Sequence, residues 1–351
     1  MEYEAPGFRP EDSKMQRELV WGEGTTVVEG LAKAFSEMLE EARVQAKDAV
    51  EAPARAVHQY RRALRRAESV LILAAPLMRG PQRRWLEEAV GRGRRRTRVL
   101  RDLDAVVPLV PTLSEALPSV DSSIFEALGK WLEQCRTELA SEEIAAWRLR
   151  KNMRALAGLG DIFAVGLFGW ADLDMLLDSA RETYRNARRA WKKARASEID
   201  EDVHELRRRA RTLRYQLELL SSREDLPVSA DAKEAHAQSK SLVKHLGEVT
   251  DFMALRDVAA EAHIDAGFDA KGLKAALDGL IAERIEGLFE EAATFFEKKA
   301  REFLMPAVCA PTGADVAEIV EEDDKDEATE VLEVVPPIEG ELVQAETSAS
   351  T

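Results

Sequence analysis

Two segments 146 residues apart share one design: VHQYRRALRR from Val57 and VHELRRRARTLRY from Val203. In each, a histidine is followed by arginines three and seven residues later, His58 by Arg61 and Arg65, His204 by Arg207 and Arg211. A second pair of landmarks, Asp102 in RVLRDLDAV and Asp251 in LGEVTDFMAL, lies 149 residues apart. Two landmarks at nearly one offset predict a duplicated chain, and a duplication fixes the topology before any single element is placed.

The local pattern predicts helices throughout. Thr26 and Glu29 have capping-box spacing and start a helix reaching about Val50. Pro53 opens the His58 helix, which runs to about Ala75. After Gly80 and Pro81 a long helix extends to about Val107, bent near Gly91 and Gly93. Asp121, Ser122 and Ser123 cap a helix over 124–139, and 141–156 follows as another. The glycine-rich stretch Gly158–Gly169 reads as a junction. Asp172 caps a helix to Arg195, the His204 helix reaches Leu220, and 231–260 and 271–304 complete the chain. No segment alternates as a strand would. The fold class is therefore all-α, with two tandem-duplicated antiparallel helical bundles at 25–160 and 161–305. Residues 1–24 form an N-terminal arm and 306–351 an acidic disordered tail.

Charge is segregated. The formal net charge is −15, but Pro311–Thr351 holds 13 acidic residues against one lysine, leaving −3 for the rest. Between Arg55 and Arg101 stand 14 arginines against three glutamates. The richest apolar stretch, IFAVGLFGW from Ile162, has nine residues, too few for a membrane span. No secretory signal is visible. Cys135 and Cys309 are far apart, match no metal spacing and suit a reducing cytoplasm.

At about 100° per residue, His58, Arg61, Arg62, Arg65 and Arg66 share one broad helix face, with Leu64, Ala67, Val70 and Leu71 opposite. His204, Arg207, Arg208, Arg211 and Arg214 repeat the arrangement, backed by Leu206, Leu213, Leu217 and Leu220. Arg94, Arg98 and Arg101 form a sparser row in the first half, and Lys233, Lys240 and Lys244 one in the second. Solvated amphipathic faces explain single charged stripes. They normally interleave acids, however, and none stands between His58 and Arg66. Crowded cations repel unless an anion lies among them, so the paired faces point to an anionic ligand. Arginine's planar fork suits phosphate. Single-stranded nucleic acid also wants stacking platforms, but aromatics are only 6% and Tyr60, Tyr215, Trp85 and Trp191 do not interleave with the arginines. Inorganic polyphosphate needs no such platforms; nucleic acid enters only as a nonspecific polyanion competitor.

These segments resemble the conserved-histidine α-helical domain, CHAD. The likeness rests on VHQYRRALRR with RVLRDLDAV and VHELRRRARTLRY with LVKHLGEVTDFMAL, and covers about residues 25–305. It implies two bundles related by a pseudo-twofold around a central basic groove, polyphosphate binding and, in several members, residence at polyphosphate granules. Carried over by position, it implicates His58, Arg61, Arg65, Arg66, His204, Arg207, Arg211 and Arg214, with Arg98, Arg101, Lys240 and Lys244 from partner helices. Arg62, Arg94 and Arg208 join them from the face reading. Glu68 stands where the resemblance expects a basic residue, its counterpart being Arg214, and Thr212 matches Arg66. The two half-sites are therefore expected to be unequal.

Each histidine is either a hydrogen-bonding group near a helix start, a phosphate-facing group titrating near neutrality, or an acid–base or phosphoryl carrier. Asp102, Asp104 and Asp251 are expected to orient basic side chains rather than bind metal. The expected function is non-enzymatic polyphosphate binding in the cytoplasm or at granules, without cofactor, metal or catalytic residues. The alternatives are an enzyme acting on polyphosphate or a phosphorylated metabolite, and a granule or nucleoid scaffold. The tail is expected to solubilise the chain or to compete for the basic face.

Overall fold

The computed structural model describes residues 25–47, 53–98, 103, 105–139, 142–197, 199–223, 226–268 and 270–304. The N-terminal arm, the acidic tail, Arg101, Asp102 and Asp104 lie outside the described residues. The α-helices are α1 (Val27–Lys47), α2 (Pro53–Leu73), α3 (Gly80–Arg95), α4 (Leu109–Ala116), α5 (Ser122–Leu139), α6 (Glu142–Leu156), α7 (Leu159–Gly166), α8 (Leu173–Ser197), α9 (Asp200–Ser221), α10 (Ser229–Ala266) and α11 (Ala270–Phe295). The described residues form no sheet, only an isolated bridge between Met78 and Leu167.

Several starts follow the sequence signals. Glu29 N–H donates to Thr26 Oγ1 at 3.2 Å while Thr26 N–H donates to the Glu29 carboxylate at 2.9 Å, a reciprocal capping box. Asp121 accepts from Ser123 N–H, and Asp172 from Met175 N–H, both at 2.9 Å. Other boundaries differ. The helix expected to reach about Val107 stops at Arg95, where the chain turns through Arg96 and Thr97. The expected junction after Gly158 contains α7, whose Phe163 packs on Phe35 with ring centroids 4.4 Å apart. The chain beyond α11 reaches Leu304 through a 3-10 turn at Ala300–Glu302 rather than as continuous helix.

One continuous core takes Leu31, Phe35 and Met38 from α1, Tyr60 and Leu64 from α2, Tyr184 from α8, Leu206 and Leu213 from α9 and Leu246 from α10. Each fully buried leucine or phenylalanine contributes about 1.5–3 kcal/mol of transfer free energy. A second core joins α4, α5 and the distal parts of α10 and α11 around Leu113, Phe125, Leu132, Leu255 and Leu277. At 38 residues, α10 is about 57 Å long and serves both cores, with Phe252 packed against each.

Burial recurs at the 146-residue offset. Leu31 and Ala34 of α1 correspond to Leu177 and Ala180 of α8, and Val57, Leu64 and Leu71 of α2 to Val203, Ala210 and Leu217 of α9; all ten are buried. α1 packs on α2, α8 packs on α9, and α2 packs on α9.

Candidate anion-binding site

The α2–α9 crossing brings the two arginine rows together. Gln216 Nε2 donates to the Ser69 carbonyl at 3.3 Å, fixing a contact just beyond the C-terminal end of each basic row. From His58 to Arg65 each row spans about 10 Å of helix.

On each side a threonine holds the arginine three residues after the histidine. Arg61 is nearly buried, and its Nη1 donates to the Arg94 carbonyl and to Thr97 Oγ1, the latter at 3.2 Å. The Thr97 hydroxyl donates onward to the Arg94 carbonyl at 3.1 Å. Arg207 Nη1 likewise donates to Thr250 Oγ1 and lies 3.3 Å from Asp251 Oδ1. The Thr250 hydroxyl donates back to Leu246 and Gly247. Asp251 thus orients an arginine, as expected. The matched hydroxyls are 153 residues apart, so the flanking helices carry a different register from the 146-residue offset of α2 and α9.

Between these anchors lie cations with few acids. Arg211 is half-buried, and burial, then Arg207 and Arg65, hold it well below the ordinary arginine range, while Tyr215 and Asp251 oppose. Arg62 is lowered by burial, with Arg66 and Arg214 adding to the effect and Tyr215 and Glu218 opposing it. Arg208 is lowered by burial, Arg209 and Arg94, against Glu68; it also pairs with Glu205. The Arg214 guanidinium stands 4.8 Å from the Tyr215 ring centroid, a cation–π arrangement. Residues from both helices therefore share one field, in which each added cation costs energy that an entering anion would return.

Glu68 is the exception. Both its oxygens accept from Arg94, Oε2 at 2.9 Å and Oε1 at 3.1 Å. Burial raises its pKa above the ordinary glutamate value, opposed by Arg94, Arg65 and Arg208.

Arg66 corrects the face assigned from periodicity. Its side chain is 1% exposed and pairs with Glu218 and, at 3.5 Å, with Glu41. It is an interior cation tying α2 to α1 and α9, at the border between the charged and apolar arcs. His58 and His204 are exposed near the starts of α2 and α9. Partial desolvation of its ring, then Arg207, pulls His204 below its ordinary value, against Asp200, Glu201 and Asp257. Arg98 is exposed beyond the end of α3, and Lys240 and Lys244 are exposed on α10. The lysines fall on the α10 stripe that continues to Gly247 and Asp251, beside Arg207. Thr97, Thr250, Tyr215 and Glu218 were not singled out as functional by the spacing of charges. The glycine three or four residues before each threonine was the available signal for the first two.

A family model for the CHAD domain matches residues 30–260. Among solved structures, the crystal structure of the CHAD domain from the plant Ricinus communis is similar, at 18% identity and a TM-score of 0.55. The match covers 80% of this chain and 95% of the plant domain, and supports the all-helical fold. No curated protein sequence matches the chain.

Proposed function

The chain belongs to the CHAD domain family, and we propose that it binds inorganic polyphosphate without chemically altering it. In this reading the chain is a tandem duplication, two bundles related by a pseudo-twofold, with a basic groove at the α2–α9 crossing. Arg62, Arg65, Arg208, Arg211 and Arg214 contact successive phosphates, Arg61 and Arg207 brace the row, and His58 and His204 flank it. The supporting observation is the convergence of guanidinium groups from two helices into one partly desolvated field, with Arg211 pressed by both Arg65 and Arg207. Such a field favours a flexible polyanion, which releases counterions as each phosphate docks.

The test is titration with long-chain polyphosphate against single-stranded DNA of matched charge. Tighter, strongly salt-sensitive binding of polyphosphate is expected; equal, weak binding of both reduces the site to nonspecific electrostatics. Unchanged orthophosphate levels with and without magnesium are expected alongside. Residence at polyphosphate granules belongs to the same reading. It predicts that a fluorescent fusion loses its foci in cells lacking polyphosphate. Among the described residues no helix is long and apolar enough to cross a membrane.

A further inference from the structure

We propose that Glu68 is a resident counter-anion occupying one phosphate position, so that polyphosphate loads from the α9 half and must displace this carboxylate to reach Arg94. The inference rests on the polyphosphate reading above and assigns its two halves different roles.

Arg94 grips Glu68 through both terminal nitrogens, the fork geometry with which arginine holds two phosphate oxygens. Both side chains remain reachable, at 29% and 27% exposure, so the pair lies at the surface of the cationic field. Arg65 and Arg208 bear on the same carboxylate, one from each basic helix. An entering phosphate therefore meets a negative charge where Arg94 would otherwise receive it.

The other half carries the reverse arrangement. The residue 146 positions after Glu68 is Arg214, and the threonine register that places Arg61 on Thr97 and Arg207 on Thr250 matches Arg94 to Gly247. Arg214 has its ring contact with Tyr215, and among the described residues none of Arg214, Arg62 and Arg211 has a carboxylate within ion-pair distance. One half thus holds an arginine already neutralised, and the other an arginine without an ion-pair partner. A polymer entering on α9 meets Arg211 and Arg214 first, with Arg62 facing Arg214 from α2. Extension toward Arg94 requires exchange of one anion for another.

The experiment titrates the full chain with long-chain polyphosphate and with tripolyphosphate, over a salt series. Glu68→Gln is expected to tighten the long polymer about tenfold and to steepen the salt dependence by about one phosphate contact. Tripolyphosphate, short enough to stay on the α9 half, should bind wild type and Glu68→Gln alike, and Arg214→Gln should weaken both ligands. Glu68→Asp, which keeps the charge but withdraws it by one methylene, gives a smaller gain in the same direction. Adding Arg94→Gln to Glu68→Gln abolishes the gain. The proposal is overturned if wild type binds the long polymer while neither Glu68 variant, folded by circular dichroism, binds it more tightly. Failure of wild type and every variant to bind either ligand would instead overturn the underlying polyphosphate reading, and this inference with it.

Discussion

Arg62 and Arg66 sit one helical turn apart on α2 and meet opposite surroundings. Arg66 is enclosed with Glu41 and Glu218, whereas Arg62 borders the open cationic field. Removing one partner of a buried ion pair strands the others, so Arg66→Ala should cost about 3–5 kcal/mol in urea unfolding. Arg211→Met does the reverse: it deletes a desolvated cation pressed by Arg207 and Arg65. We expect it to stabilise the free chain by about 1 kcal/mol while weakening polyphosphate binding. Sequence spacing could not separate these arginines, because periodicity gives the angle of a side chain but not where a neighbouring helix covers it. Glu41 and Glu218 lie on other helices, and only the assembled core brings them to Arg66. His204 supplies the pH dependence. Its folded-state value is lowered, so on acidification the unfolded chain takes up the proton first, and this residue's contribution to stability falls as pH drops through the ordinary histidine value of about 6.5. A bound polyanion favours the imidazolium, which couples binding to proton uptake. Affinity for long-chain polyphosphate should therefore rise as pH falls from about 7.5 to 5.5. His204→Gln should remove up to one proton from that slope; an unchanged slope would exclude the role.

At the scale of elements, short-range signals were legible and long-range ones were not. The caps at Thr26, Asp121 and Asp172 depend on two or three neighbouring residues, and each forms as its spacing predicts. The end of α3 depends on Arg61, which draws Thr97 and the Arg94 carbonyl toward α2. α7 has eight residues, too few to stand alone, and the Phe163–Phe35 contact supplies what its local sequence lacks. Glycines show the same division. A Cβ at Gly93 would lie 2.8 Å from Leu64 Cδ1 and 2.9 Å from Tyr60 Oη, whereas one at Gly279 meets nothing within 4 Å. Gly93→Ala is therefore expected to destabilise by about 1–3 kcal/mol through overpacking. Gly279→Ala, inside α11, should stabilise by about 0.5–1 kcal/mol through helix propensity. Paired thermal melts with opposite shifts would bear out both; a gain at Gly93 would show that α2 and α3 can separate without cost.

At the scale of the whole molecule, average charge and local charge make opposite predictions. A chain of net −15 treated as a uniform body repels a polyanion, and added salt would strengthen binding by screening that repulsion. The α2–α9 crossing concentrates cations within a region where Arg65 and Arg207 act on Arg211, and Arg94 and Glu68 on Arg208. Binding there releases counterions, so added salt weakens it. The two similar arginine-rich segments from Val57 and Val203 made this concentration legible in the sequence. The second core was not, because α4, α5 and the distal part of α10 carry no repeated charge signature and meet around an apolar cluster. If Arg62, Arg65, Arg208, Arg211 and Arg214 each engage a phosphate, the slope of log affinity against log salt should be about −3.5, taking the single-strand coefficient. Replacing Arg62 and Arg211 together by glutamine should reduce that slope by about two-fifths, whereas replacing the exposed Lys192 and Lys271, on α8 and α11, should leave it unchanged. A positive slope, or equal effects of the two double variants, would show that the molecule's mean field rather than this crossing governs its encounter with polyanions.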